Sequence, residues 1–220
     1  MSDATYIRPA DSAGKGASSG PGRAAAAKVD RILDSAYGCF VRHGIRKTTM
    51  DDIAAGAGMS RPAVYQYVRN KDDAFRRLAA RIFDGAMQQA RAEAAGGGTL
   101  AQRLDRILAV RLVVIQRLRR DSPHAGELIG DTARVSAELD RGFRADLTDL
   151  VATTIVAATD RTDLVLSDAT AREIAELTVA LTRGLETDPA DADRVRERLR
   201  NGTALLVAGL AAAVAQPVRA

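Results

Sequence analysis

Apolar residues recur along this chain at spacings of three and four, the period of an amphipathic helix, and not in the alternation of a half-buried strand. Val29, Ile32, Leu33, Ala36 and Phe40 form one stripe and predict a helix over about 25–43, which Gly44 ends. Two short helices follow, over about 49–57 and 61–67. A long one then runs from Asn70 to about 94, with Phe75, Leu78, Ala79, Ile82, Phe83 and Ala86 as its core stripe. "AAGGGT" at 94–99 interrupts the pattern. Leu100, Leu104, Leu108, Leu112, Ile115 and Leu118 define the next helix, which must stop before Pro123, and a shorter one is expected over 124–131. Val135, Leu139, Phe143, Leu147, Val151 and Ile155 mark another. Ile174, Leu177, Leu181 and Leu185 mark the penultimate helix, with Ser167 as a good N-cap. After "TDPAD" at 187–191, Val195, Leu199, Leu206, Leu210 and Val214 mark the last. The expected fold class is all-α, with about nine helices.

The segment 48–73, "TTMDDIAAGAGMSRPAVYQYVRNKDD", carries most of the local signals. Thr49 is an N-cap with Asp52 three residues on, a capping box with Asp in place of Glu, and Gly58 ends that helix. Ser60 caps the next helix, and Pro62 sits in its first turn, where a missing N–H costs nothing. Asn70 caps the long helix, whose acidic first turn (Asp72, Asp73) suits the helix dipole. Two helices joined by "GAGMS" make a helix-turn-helix, and in DNA-binding versions the second helix enters the major groove. Val64 and Val68 can form its buried seam against Ile53 and the first helix, leaving its other faces for contacts.

Those faces carry suitable chemistry. Arg61 can give two parallel hydrogen bonds to guanine O6 and N7, and Pro62 and Ala63 can pack on a thymine methyl. Gln66 can reach a base edge or phosphate; Tyr65 and Tyr67 hold hydroxyls on rigid arms; Lys71 adds a point charge for the backbone. Thr49 can offer its hydroxyl or helix N-terminal N–H groups to a phosphate. The competing reading of Tyr65 and Tyr67 is half-buried packing, and of Arg61 a solvated surface residue.

Composition narrows the picture without overturning it. A chain of 220 residues with 46% apolar and 4% aromatic content suits one sizeable helical core, or a small domain attached to a larger one. The net charge of +4 is unevenly spread: residues 21–91 carry 13 Lys and Arg against 7 Asp and Glu, a footprint suited to a polyanion. Cys39 is the single cysteine, so no intrachain disulfide can form. The N-terminus lacks the apolar core of a secretory signal, and the charge-free apolar run at 202–215 is short for a bilayer span, so no membrane association and a cytoplasmic location are expected. Residues 1–24, rich in Gly, Ser, Ala and Pro, are expected to be a disordered tail. Residues 25–72 are expected to form a helix-turn-helix DNA-binding domain, linked by the helix at 70–94 to a helical ligand-binding and dimerisation domain at 95–216.

At several of these residues the chain resembles the tetracycline-repressor (TetR) family of bacterial transcriptional regulators. The resemblance runs from about Val29 to Leu78 and rests on "FVRHG" at 40–44, "TTMDDIAAGAGMS" at 48–60, "YQYV" at 65–68 and "NKDDAF" at 70–75. It implies a homodimer with two DNA-reading heads, a C-terminal helical domain that encloses a small-molecule effector, and repression relieved by that effector. It places DNA contacts on Thr49, Met50, Arg61, Pro62, Ala63, Tyr65, Tyr67 and Lys71. Ser60 and Gln66 complete the expected contact set on double-stranded, palindromic operator DNA. The family usually has Phe at the position of Val68, and Gly or a small polar residue near Arg61 and Pro62, so the base preference is this chain's own. Farther on, the resemblance rests on helix order and "ALTRGLE" at 180–186.

In the C-terminal part, Gly184, Gly202, Ala208, Gly209, Ala211, Ala212 and Ala213 allow close helix approach. The last two helices could meet their symmetry mates in a four-helix interface, or pack in an ordinary intramolecular core. A pocket is expected among the helices at 100–185, with Arg111, Gln116 and Phe143 as lining candidates. Arg111 lies on an apolar stripe and could pair with an anionic or carbonyl group, or snorkel to the surface. No cofactor is expected and an enzyme is disfavoured. His43 and His124 are unrelated in position, and the chain has no catalytic-triad spacing, phosphate-binding glycine pattern or metal-ligand cluster. An activator or ligand-independent regulator would share the scaffold, whereas a helical interaction adaptor would leave the basic helix-turn-helix unexplained.

Overall fold

The computed structural model describes residues 21–159, 168–188 and 191–215. Among them are nine helices and no strand: α1 Pro21–Lys47, α2 Met50–Ala57, α3 Arg61–Tyr65, α4 Lys71–Ala95, α5 Leu100–Asp121, α6 Ala125–Val135, α7 Ala137–Thr159, α8 Asp168–Glu186 and α9 Ala192–Ala215. The all-α expectation holds. Most of the expected tail, and Ser167, lie outside the described residues.

Boundaries differ from the sequence expectation in four places, and in one of them α1 kinks at Gly44 and runs on to Lys47 rather than ending there. Helix α1 begins at Pro21 rather than near Ala25, because the run Ala24–Ala27 has the highest helix propensity of any residue type. Helix α3 ends at Tyr65 rather than 67, since Tyr67 N–H turns back to the Val64 carbonyl (2.9 Å) in a tight turn that carries Val68 into the core. Val135 closes α6 instead of starting α7, which begins after Ser136.

The chain divides into two compact units. The first contains the described residues up to Gly85 together with Arg117–Asp140. Its core gathers Ile32, Leu33, Ala36 and Phe40 of α1, Ile53 of α2, Val64 and Val68, Phe75 and Leu78 of α4, and Leu128 of α6. Phe40 and Phe75 meet edge to face, with ring centroids 5.7 Å apart. Gly44 breaks α1 with φ 74°, a conformation that favours glycine. The chain there turns so that the Thr48 hydroxyl donates to the Gly44 carbonyl (2.7 Å). Helix α6 is tied to this corner: Arg46 N–H donates to Glu127 Oε1 (3.2 Å), and the Ser122 hydroxyl donates to the Val41 carbonyl (2.8 Å).

The second unit contains Ala86–Gln116 and the described residues from Arg141 onward. Leu104, Ile107, Leu108 and Leu112 of α5 are fully buried, as are Leu147, Val151 and Ile155 of α7 and Leu199 of α9. Thr178, Thr182 and Thr203 are buried on α8 and α9, and each hydroxyl donates to the carbonyl one turn back, so that no hydroxyl is left without a partner. A Cβ at Gly202 would come within 2.5 Å of Leu181 Cδ2, so glycine sets the close approach of α9 to α8.

Candidate nucleic-acid interface

The interface is built from local rules. Helix α2 starts at a complete capping box: Asp52 Oδ2 accepts from the Thr49 N–H (2.8 Å) and hydroxyl (2.7 Å), while Thr49 Oγ1 accepts from Asp52 N–H (3.2 Å). The Thr49 hydroxyl and then its N–H hold the Asp52 carboxyl below the usual carboxylate range. The helix ends at Gly58 (φ 61°), whose N–H reaches the Ala54 and Ala55 carbonyls. Ser60 then caps α3, its hydroxyl oxygen accepting from Ala63 N–H (3.4 Å), with Pro62 in the first turn.

An isolated helix as short as α3 would not persist in water, so its position comes from packing. Val64 and Val68 supply that packing, 0% and 1% exposed, next to Ile53 at 0%. The expected seam is therefore present. It leaves Arg61, Pro62, Tyr65 and Gln66 exposed, together with Thr49 and Ser60 at the two helix starts.

The remaining candidates are placed differently. Ala63, Tyr67 and Lys71 are half-buried, and Tyr67 packs against the core cluster. The Lys71 ammonium donates to the Arg46 carbonyl (3.1 Å), closing the end of α1, and Lys28 lies 6.0 Å from the Tyr67 ring centroid. Met50 is turned into the core at 9% exposure, which removes it from the exposed set. The Thr49 hydroxyl and N–H both serve the capping box.

Arg61 is held by its neighbours. Its Nη1 donates to Asp51 Oδ2 (2.9 Å), its Nη2 to the Tyr65 hydroxyl (3.4 Å), and its guanidinium carbon lies 5.6 Å from the Tyr65 ring centroid. The Tyr65 hydroxyl and then the Asp51 carboxylate push its pKa up. Sequence reading missed Asp51. The acid stands in the first turn of α2, where helix-dipole complementarity already accounts for it, and its partner is ten positions away across the turn.

In the second unit, Arg111 and Phe143 come together, with the guanidinium carbon 5.5 Å from the ring centroid. Arg111 is also paired with Glu186: Nε donates to Oε1, and Nη2 to Oε2 at 3.1 Å. The two side chains are 16% and 12% exposed, so the cation is compensated within the protein. Gln116 Nε2 donates to the Ala192 carbonyl (3.4 Å), which gives it a bracing role at the start of α9.

Comparison with known proteins agrees with this geometry. Residues 32–78 match the family model for bacterial regulatory proteins of the tetR family. Among solved structures, a transcriptional regulator of the TetR/AcrR family from Thermobifida fusca is 23% identical, with a TM-score of 0.62 over 83% of this chain and 98% of that one. A TetR-like transcriptional regulator from Rhodococcus is 22% identical, with a TM-score of 0.59 over 84% and 97%. The fatty acid degradation regulator FadR from Bacillus halodurans is 14% identical, with a TM-score of 0.62 over 88% and 98%. At these identities the structural likeness is one of fold. Residues 32–78 thus match the N-terminal domain of the tetR family, and the described residues share the fold of the TetR-family regulators.

Proposed function

We propose that this protein is a sequence-specific DNA-binding transcriptional repressor that acts as a homodimer and leaves its operator when a small-molecule effector binds. The observation that carries the reading is the state of α3: one side locked into the core by Val64 and Val68, the other presenting Arg61, Pro62, Tyr65 and Gln66 to solvent in a basic domain. Arg61 and Gln66 read base edges, and the Tyr65 hydroxyl, Ser60 and Lys71 meet phosphates.

An apolar face on α8 and α9 supports the dimer. Leu177 is 62% exposed and Leu205 73%. Gly184 and Gly209 have open space where a Cβ would be, in contrast to Gly202, which packs on Leu181. Two copies meeting there would form a two-fold four-helix interface and present two reading heads to half-sites about 34–36 Å apart, or a multiple of that. The effector would lie among the helices of the second unit, and an anionic one would have to compete with Glu186 for Arg111.

The test is retardation of a duplex from the gene's own upstream region. Log affinity should fall linearly with log salt, and Lys71→Ala should lessen the slope. Binding without repression of a reporter would favour an activator on the same scaffold. Failure to bind any duplex at low salt would refute the reading, and a monomer by light scattering at micromolar concentration would refute the dimer.

A further inference from the structure

The Asp51–Arg61 contact is unusual for its place. Both groups are largely exposed, with side chains 64% and 55% accessible, and an ion pair in that setting contributes little to stability. The pair also lies on the surface that the reading above presents to a polyanion, where an uncompensated carboxylate weakens binding to any DNA. Helix-dipole complementarity accounts for an acid at residue 51 but not for its contact with Arg61.

The geometry suggests what that contact does. Arg61 has a long, flexible side chain, and reading guanine requires its planar fork in one orientation. Asp51 Oδ2 holds Nη1 at 2.9 Å, and the Tyr65 hydroxyl holds Nη2 at 3.4 Å beside its own ring. Two of the three groups come from α3 and the third from α2, so the orientation is referenced to two helices rather than one. The remaining N–H donors of Arg61 stay uncommitted. Ordering the side chain before DNA arrives lessens the entropy lost on binding. The same carboxylate opposes a slide of Arg61 onto a phosphate, because a phosphate oxygen would then approach Asp51. A correct base is thereby favoured over generic backbone contact.

We propose that Asp51 is a positioning residue of the DNA interface: it sets the Arg61 guanidinium for guanine and raises base discrimination at the expense of general affinity. The inference rests on the DNA-binding reading and adds to it a guanine in each half-site whose recognition depends on an acid from the neighbouring helix.

The experiment uses the full chain. A duplex is selected from a random pool, and affinities for all its single-base variants are measured by fluorescence anisotropy at fixed salt. The proteins compared are the parent, Asp51→Asn, Arg61→Ala and the double variant, with thermal melts as folding controls. Contrast at one guanine should fall about tenfold on Arg61→Ala and at least about threefold on Asp51→Asn, which should also bind the disfavoured duplexes more tightly. In the Arg61→Ala background, Asp51→Asn should leave contrast at that guanine unchanged, since nothing remains to be positioned. A stabilising role alone would not produce this coupling.

A uniform change in affinity on Asp51→Asn with the base ranking intact would overturn the proposal, and so would equal effects on contrast with and without Arg61. Should Asp51→Asn fail to fold, Arg61→Lys carries the test. It keeps the charge and loses the fork, so guanine contrast should fall while the salt slope is retained; undiminished contrast would overturn the proposal. If the parent binds no duplex, the DNA-binding reading fails and this inference with it. If the parent binds with Arg61-dependent contrast that ignores Asp51, only the inference fails.

Discussion

Gly56 offers a sharp test of how α2 is seated on α1. In most mid-helix sites Gly→Ala stabilises, by about 1 kcal/mol, through helix propensity. Here a Cβ at residue 56 would lie 2.3 Å from Ser35 Oγ and 3.4 Å from Ser35 Cβ. The Ser35 hydroxyl is not free to yield at no cost, because it donates to the Ile53 carbonyl at 2.8 Å. Swinging it away loses that bond, worth about 1 kcal/mol, and any residual overlap adds about 1–3 kcal/mol. Gly56→Ala should therefore destabilise the first unit by about 1–3 kcal/mol after the propensity gain is counted. Ser35→Ala should cost about 1 kcal/mol by itself. In that background the 2.3 Å contact is gone and only the 3.4 Å approach remains, so Gly56→Ala should become neutral or stabilising. The assay is urea unfolding of the four proteins of the cycle, with hydrogen exchange of the α2 amides as the local readout. DNA affinity should follow the same order, since α2 carries the turn that sets α3. A Gly56→Ala protein as stable as its parent, or a Gly56→Ala cost that is the same with and without the Ser35 hydroxyl, would refute the close approach of the two helices.

Other consequences can be checked in parallel. Gly58→Ala, at φ 61°, should cost about 1 kcal/mol in thermal unfolding, and Gly58→Asn less. The Asp52 carboxyl is held below its unfolded value by Thr49. A lowered folded pKa contributes stability above the unfolded pKa that is lost as pH falls through the folded one. Melts taken from neutral down into and below the carboxylate range should thus show an acid loss that Asp52→Asn removes. Removing one partner of the Arg111–Glu186 pair, as in Glu186→Ala, should cost about 3 kcal/mol, whereas replacing both by apolar residues of similar size should recover most of it. Equal losses for the single and double replacements would contradict that account.

Where a structural feature depended on neighbours in sequence, it was legible without coordinates. Thr49 with Asp52, Gly58, Ser60 and Asn70 each satisfy helix-end groups a few positions away, and the structure has them in those roles. The Val64–Val68 seam followed from spacing. Features that depend on docking were not legible. The side of α2 that Met50 occupies is set by where the helix lies on α1, and chemical type alone did not give it. Asp51 and Arg61 meet only because the turn folds their helices together. Arg111 lies on the apolar stripe of α5, where a ligand pairing or a snorkelling side chain is the sequence expectation, and its partner Glu186 stands 75 residues away. Nothing local in α5 announces that neutralisation. The α8–α9 stripe of small residues divides in the same way: Gly202 serves packing within the chain and Gly209 does not, a difference that only the helix pair resolves.

We have proposed that α3 is the DNA-reading helix of a two-fold regulator. The most direct measurement is the binding stoichiometry and footprint of the full-length protein on duplexes selected from a random pool, repeated over a range of salt. Two chains per duplex are expected, with inverted half-sites about one helical turn apart or a multiple of it, each with a guanine whose preference is lost on Arg61→Ala. Log affinity should also fall linearly with log salt. Absence of any enriched sequence at low salt, or enrichment that Arg61→Ala and Tyr65→Ala leave unchanged, would contradict that proposal.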